Sequence, residues 1–322
     1  AVLCLTAYGD KVLQHIPEHI QHHLNAGFEQ VVLGVGSLMG SDEMNVYRET
    51  LADFIEQGTV VVASYRLKDI RCKESLHRIH FYNSCLYHSK GVAEYAAAWD
   101  IDEYWVPPPR QHLPSSNETI FSSQHNSLAR LETDDVWKAS NYSKYPSIMD
   151  TMRSAEEHQR QHGCGENWCY HTFPSVTAYR RREMDGKIAK GVHLVARDFY
   201  RRSDAYNDVY QKSISRTKYV NAGGVHKPGS CRFPPSSMFL TQAELKALHS
   251  LYNNSHDGDA SNNGSPKCRN LQVLGTFGGM HHFMSLNSDR GESRYEGHFP
   301  EDEYIALFGS TVVEQLQQRE KR

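Results

Sequence analysis

Two carboxylates stand two residues apart in the segment Asp100-Ile101-Asp102, which follows an apolar stretch. Residues two apart in an extended segment project to the same side, so we expect both carboxylates to face a crevice at the carboxyl end of a strand. Such oxygens suit a hard divalent cation, Mn²⁺ or Mg²⁺, that gains further oxygens from substrate phosphates. Glu103 is expected to point the other way. The alternative is a D-x-D that occurs by chance on a solvated turn.

Histidines and a lysine supply further candidate ligands. His226, beside Lys227, follows a glycine-containing turn, and so does the pair His281-His282. A neutral imidazole is a common ligand of borderline metals, and a lysine ammonium can meet a phosphate. The alternative is that these are exposed loop histidines, because in a chain with 19 histidines a single one is more often structural than liganding.

The segment HIPEH at 15–19 matches the H-x-x-E-H pattern of one class of zinc proteases. That chemistry needs both histidines on one helix, with Pro17 inside it at a cost of ~3 kcal/mol. Pro17 favours the first turn of a helix that leaves the first histidine outside, so we reject the zinc site. We predict instead that His19, His22 and His23 form a polar helix face.

The elements that would position these residues alternate between strand and helix. Apolar runs predict strands over 1–8, 31–36 and 59–65, and helical spacing predicts helices near 16–26, 41–58 and 74–97. This order is typical of a doubly wound parallel sheet, so residues 1–106 are predicted to form a Rossmann-like half. The glycines near residue 35 do not complete a G-x-G-x-x-G fingerprint, which disfavours a nicotinamide cofactor.

The second half, residues 107–300, is predicted to hold a mixed sheet. Strands are expected at 176–181 and 191–202, and a short helix at 241–252. The polar segment 253–267 is expected to be a mobile loop, and 301–322 a C-terminal helix against the surface. Together with the first half this predicts a single α/β domain over 1–322.

Composition excludes several classes of function. The balance of 35 Lys and Arg against 38 Asp and Glu gives no basic field for nucleic acid, so no nucleic-acid partner is expected. The chain has no run of 18 apolar residues, which is about the length needed to cross a bilayer. The chain also lacks a G-x-S-x-G elbow and a P-loop, the signatures of serine hydrolases and NTPases.

The cysteines and glycosylation sequons bear on the compartment. Of seven cysteines, Cys164 and Cys169 are the best local disulfide pair if the compartment is oxidising, and buried free thiols are the alternative. Four N-x-S/T sites favour the lumen of the secretory pathway; they stand at Asn117, Asn141, Asn253 and Asn263. The first residues resemble an internal strand rather than a signal peptide, so we expect the chain to begin inside a longer protein.

The motifs together resemble glycosyltransferase family 92, a family with the GT-A fold. Segment 16–35 resembles the family's early helix and strand, although His19 replaces a tryptophan there and Gly9-Asp10 departs from the usual start. An N-x-C-L helix that runs into a D-x-D-E stretch carries the most specific match, through Asn83, Cys85, Asp100, Asp102, Glu103 and Pro107. The later segments VNAGGVHKP and MHHFMSLNS resemble the family through His226, His282, Phe283 and Ser288.

The resemblance implies a GT-A-like, Rossmann-type sheet, mostly parallel with helices on both faces, followed by an acceptor-side half. It implies an inverting transferase that moves a sugar from a UDP-sugar, with UDP-galactose favoured, to an oligosaccharide or polysaccharide acceptor. It places the enzyme in the Golgi lumen as a type II membrane protein whose anchor lies outside these residues. The alternatives are a non-catalytic carbohydrate-binding protein on the same fold and a metal-dependent nucleotide-sugar phosphohydrolase.

The resemblance also implies roles for particular residues. Mn²⁺ (or Mg²⁺) would be held by Asp100, Asp102 and His226. The nucleotide-sugar would be contacted by Tyr8, Asp10, Asp100, Lys227 and His282. An inverting mechanism needs a carboxylate base; Glu166 is the candidate, with Asp134, Asp135 and Asp185 as rivals.

Overall fold

A computed structural model describes residues 1–7, 13, 15–37, 40–66, 74–107, 146–161, 169–179, 201–202, 207–224, 230–231, 270–272, 279–283, 316 and 318–319. The helices in these ranges are α1 (Ile16–Asn25), α2 (Asp42–Thr50), α3 (Ala52–Glu56), α4 (Glu74–His88) and α5 (Ile148–Gln161). The strands of the first half are β1 (Val2–Ala7), β2 (Gln30–Val35), β3 (Val60–Ser64), β4 (Tyr95–Asp100) and β5 (Glu103–Val106). The later strands are β6 (Tyr170–Tyr179), β7 (Arg201–Arg202), β8 (Asn207–Arg216), β9 (Val220–Ala222), β10 (Ser230–Cys231), β11 (Asn270–Gln272) and β12 (Gly279–Phe283).

The first half is the predicted parallel sheet. Its strands lie in the order β3-β2-β1-β4, and every pairing among them is parallel. Pro17 lies in the first turn of α1, as predicted, and the Oγ of Ser41 accepts a hydrogen bond from the amide of Met44 at the start of α2. The helices pack on both faces of this sheet: α1, α2, α3 and α5 on one, and α4 on the other.

The second half is mixed, as predicted. Strand β8 is antiparallel to both β4 and β6, β12 is parallel to β6, and β5 is antiparallel to β12. The register of β6 against β8 is irregular between Phe173 and Ser175, on either side of Pro174. Only two residues join β4 to β5, yet three strands lie between them in the sheet order. The sheet must therefore bend sharply and bring β5 back to the end of β4.

Helix α4 is shorter than the sequence predicts. It ends at His88, and Gly91 takes a left-handed conformation with φ of 82° before β4 begins at Tyr95. The alanines 96–98 have a high helix propensity, but they form a strand because β1 and β8 pair with this segment on either side.

Two disulfides lie among the described residues, Cys4–Cys85 and Cys169–Cys231. The predicted pairing of Cys164 with Cys169 is therefore wrong. Cys169 lies directly before β6, and its partner Cys231, on β10, is 62 residues later in the chain. Local spacing could not reveal this partner.

The C-terminal segment is described at three positions, all helical. Leu316 packs against the core, and Arg319 contacts Gln21, Gln57 and the ring of Phe54. Of the strand predicted over 191–202, only 201–202 are described, as β7. The rest of that strand, the helix predicted over 241–252 and the loop 253–267 lie outside the described residues. Among the helices that are described, none has the length and apolar character needed to cross a membrane.

Candidate functional site

The acidic residues lie where β4 ends. Asp100 is the last residue of β4, Ile101 and Asp102 form a turn, and Glu103 opens β5. One carboxylate oxygen from each acid lies within 4.8 Å of the others. The prediction that Glu103 points away is wrong, because the segment is a turn rather than an extended strand. The Oε2 of Glu103 accepts a hydrogen bond from the amide of Asp100 at 2.9 Å.

A buried lysine lies against this acidic turn. The Nζ of Lys212, on β8, is 3.0 Å from Asp100 Oδ2 and 3.0 Å from Glu103 Oε1. The Lys212 side chain is 1% exposed and that of Glu103 3%. A buried charge is stable only when it is paired, so these groups depend on one another. Sequence reasoning missed Lys212, and its only local signal was a charged residue inside an otherwise strand-like run.

Helix α4 contributes a second cation and a hydroxyl. Arg78 forms an ion pair with Asp100, and the Tyr82 hydroxyl lies 2.9 Å from Asp100 Oδ1. The same hydroxyl lies 2.8 Å from the Oγ1 of Thr6 on β1. Burial raises the pKa of Tyr82, so the phenol stays neutral and donates. Asp100 is thus held from β1, α4 and β8 at once.

The residue after Tyr82 on α4 contacts the segment that leads toward His226. The Oδ1 of Asn83 accepts a hydrogen bond from the amide of Gly223 at 2.6 Å. Gly223 also packs so closely on α4 that a Cβ there would lie 2.8 Å from Leu86. Asn83 therefore fixes the chain three residues before His226.

The predicted site residues can be placed in part. Asp100 and Asp102 are brought together. His282, on β12, is the register partner of Glu103, so its backbone lies beside the start of β5. The structure does not describe the remaining predicted residues, which are Tyr8, Asp10, Asp134, Asp135, Glu166, Asp185, His226 and Lys227.

The α1 histidines do not form the predicted polar surface. His19, His22 and His23 are all buried, at 4% exposure or less. Their rings pack against Tyr104, Trp99 and Phe28, because α1 lies between β2 and β5. Burial lowers the pKa of His19 to about 3 and also lowers the pKa of His23, so both rings are neutral.

The donor set of the acidic turn fits a hard divalent cation. Its oxygens come from three carboxylates grouped at the edge where β1 and β4 end, with Thr6 and Asp100 paired in register. Oxygen-only donors suit Mg²⁺ or Mn²⁺. Lys212 and Arg78 offset part of the negative charge, which allows the carboxylates to lie this close. This is an acidic cluster, of a composition that could hold a divalent cation, at the carboxyl edge of a Rossmann-like sheet, where open α/β sheets bind ligands.

Comparison with known families identifies this class of protein further. Residues 2–273 match the family described as glycosyltransferase family 92. The chain belongs to this family, and the predicted α/β fold class, a parallel first half followed by a mixed half, is confirmed. A search of curated proteins finds no significant match.

Solved structures show distant likenesses. One is the mannosyltransferase PcManGT from Pyrobaculum calidifontis in complex with GDP-Man and Mn²⁺, at 11% identity and a TM-score of 0.29. The alignment covers 81% of this chain and 65% of that one, so the chain spans just under two thirds of its length. A second is an active-site mutant of LgtC, at 11% identity and a TM-score of 0.28, with 96% of both chains covered. A third is UDP-glucose pyrophosphorylase complexed with UDP-glucose, at 9% identity and a TM-score of 0.27, with 99% of both chains covered. The family assignment rests on the sequence match.

Proposed function

We propose that this glycosyltransferase is a metal-dependent, inverting enzyme that moves a sugar from a UDP-sugar to an oligosaccharide or polysaccharide acceptor. UDP-galactose is the favoured donor and Mn²⁺ the favoured ion. The observation that carries the proposal is the convergence of Asp100, Asp102 and Glu103 in a member of this family. A transferase of this kind must neutralise the charge that develops on the departing diphosphate.

In this proposal the acidic turn holds the ion and the neighbouring cations organise the turn. Asp100 and Asp102 are the carboxylate ligands, with His226 as a further ligand. The ion, when bound, supplies positive charge to the leaving nucleotide. Lys212 and Arg78 fix the carboxylate of Asp100, and Tyr82 donates to it, so that the ligand oxygens are in place before the donor arrives.

The other predicted residues have proposed roles around the donor and the acceptor. Tyr8 and Asp10 follow β1, whose end lies beside Asp100, and would contact the nucleoside. Lys227 and His282 would contact the nucleotide-sugar, and the register of β12 beside Glu103 supports His282. Glu166 remains the proposed carboxylate that takes the proton of the acceptor hydroxyl.

We also propose that the protein works in the Golgi lumen. Two observations support an oxidising, glycosylating compartment: the disulfides Cys4–Cys85 and Cys169–Cys231, and the four N-x-S/T sites.

The test is a thermal-shift panel followed by transfer assays. We expect one UDP-sugar to raise the melting temperature in Mn²⁺ and not in EDTA, because a ligand that binds only the native state stabilises it.

Asp100→Asn and Asp102→Asn should each lower transfer by about 10²–10³-fold. Asp53→Asn, at an exposed position of α3, is the matched control and should leave transfer unchanged.

The alternatives give different results in the same assays. A non-catalytic carbohydrate-binding protein would retain glycan binding in both acidic variants and show no transfer. A phosphohydrolase would release UMP or phosphate from the UDP-sugar without any acceptor. A folded protein that binds no UDP-sugar, with or without Mn²⁺, would contradict the proposal.

A further inference from the structure

Strand β5 is the last strand of the sheet as described, and its outer edge has no neighbouring strand there. Its inner edge pairs with β12. Backbone groups of successive residues in a strand point to opposite edges, so Glu103 and Trp105 share one edge and Tyr104 and Val106 the other. An unpaired edge that is also buried leaves backbone groups without partners, at a cost of about 1–3 kcal/mol each. Both Glu103 and Trp105 are buried.

Side chains of three histidines of α1 bond the backbone groups at this outer edge of β5. His19 Nε2 lies 2.8 Å from the carbonyl oxygen of Glu103, and His22 Nε2 lies 2.7 Å from that of Trp105. The amide of Trp105 donates to His23 Nε2 at 3.3 Å. At the outer edge of β5, Glu103 and Trp105 are therefore both hydrogen-bonded, by histidine side chains rather than by the backbone of another strand.

The partners of the histidines fix which ring nitrogen carries the proton. His19 and His22 donate from Nε2, because each faces a carbonyl oxygen. His23 accepts at Nε2, so its proton is on Nδ1, which lies 2.9 Å from the carbonyl oxygen of His19. The bond that His23 accepts requires a neutral ring, because an imidazolium has no acceptor nitrogen, whereas His19 and His22 can donate in either protonation state. Burial among Tyr104, Trp99 and Phe28 favours the neutral form of His19 and His23.

The backbone fixed in this way carries the acidic turn. Glu103, whose carbonyl oxygen bonds His19, also accepts from the amide of Asp100 and pairs with Lys212. A shift of β5 along its edge would move the Glu103 carboxylate away from both partners. The position of the turn thus depends on contacts with a helix more than 75 residues earlier in the chain.

We propose that His19, His22 and His23 are positioning residues: they bond the outer edge of β5 and so hold the carboxylates of the acidic turn in place. The effect on the ion and the donor rests on the proposed function, whereas the effect on the turn itself does not. None of the three touches the reacting groups in this proposal.

The first experiment measures amide hydrogen exchange at single residues in His22→Leu and His22→Gln. Leucine removes the donor to Trp105, and glutamine keeps an N–H donor at comparable reach. Ile20→Ala is the matched control, because Ile20 is fully buried on α1 and faces the apolar core. We expect His22→Leu to speed exchange of the Trp105 and Asp100 amides beyond the global change, and His22→Gln to restore much of the protection.

Unchanged protection of the Asp100 amide in His22→Leu, beyond what Ile20→Ala loses, would overturn the proposal. His19→Leu gives a second reading in the same assay if His22→Leu does not fold, because it removes the bond to Glu103 itself.

The second measurement separates this inference from the proposed function. Mn²⁺ affinity, measured by calorimetry with and without UDP, should fall about 10–100-fold in His22→Leu and stay unchanged in Ile20→Ala. If the unmodified protein binds no Mn²⁺ in either condition, the proposed function fails, and the exchange of the Asp100 amide still decides the positioning role.

Discussion

At the scale of residues, the acidic turn is held by opposite charges that come from distant parts of the chain. Asp100 pairs with Arg78 from α4 and with Lys212 from β8, and Lys212 also pairs with Glu103. A buried pair adds little over an apolar equivalent, but the removal of one partner leaves an uncompensated buried charge. Lys212 should therefore be more costly to replace than a typical lysine.

We expect Lys212→Met to lower the free energy of unfolding by about 3–5 kcal/mol, because Glu103 keeps its buried carboxylate without this cation. Urea denaturation measures the change. Lys218→Met is the control: Lys218 is exposed, with its Nζ 4.6 Å from the Tyr219 ring centroid, and its loss should cost less than about 1 kcal/mol. Equal stability of the two variants would contradict the role given to Lys212.

At the scale of elements, α4 connects the parts of the site. Cys4 and Thr6 project from the same face of β1 toward α4, where they meet Cys85 and Tyr82. One turn of α4 thus holds a disulfide, and the turn before it holds the hydroxyl that contacts Asp100. The disulfide should stabilise the docking of α4 on β1 as well as the whole domain.

We expect the double variant Cys4→Ala, Cys85→Ala to have a free energy of unfolding lower by about 2–4 kcal/mol, because the bond closes a loop of 81 residues in the unfolded chain. Amide exchange should also speed up along α4. The pair Cys169→Ala, Cys231→Ala is the control, since it removes a loop of 62 residues. It should cost a similar amount of free energy but speed exchange along α4 less, because this bond does not join α4 to β1, although both cysteines lie in the same apolar cluster as α4. An equal increase in exchange along α4 in both variants would refute the local role.

At the scale of the whole molecule, neutral buried histidines occur in both halves of the chain. His19 lies on α1 and His171 on β6, and burial lowers the pKa of each to about 3. The unfolded chain takes up protons near its ordinary pKa of 6.5, and the folded chain does so only near 3. The folded state therefore loses stability as the pH falls through this window, and neither histidine affects stability above it.

We expect each of these histidines to lower the free energy of unfolding by up to about 1.4 kcal/mol per pH unit between pH 6.5 and 3. Urea denaturation at a series of pH values measures the slope. His19→Gln should make the slope shallower, because glutamine does not titrate, whereas His88→Gln on the surface of α4 is a control that keeps this part of the slope. A slope that His19→Gln leaves unchanged would show that His19 is protonated in the folded protein.

The sequence by itself determined the features that depend on local pattern. The alternation of apolar runs and helical spacing predicted β1 to β3 and α1 closely, since each period reflects one buried face. The single helix predicted over 41–58 is divided into α2 and α3 at Leu51. The spacing of Asp100 and Asp102 predicted that both would meet at a strand end, and the family motifs predicted the fold class.

Only the tertiary structure decided the partners that are distant in the chain. Lys212 reaches Asp100 across 112 residues, Cys231 reaches Cys169 across 62, and His22 reaches Trp105 across 83. Glu103 turns toward Asp100 because the segment is a turn, and the histidines of α1 are buried because β5 returns to that helix. Hydrophobic period fixes which face of an element is buried, but strand pairing and the bend of the sheet decide which residues meet there.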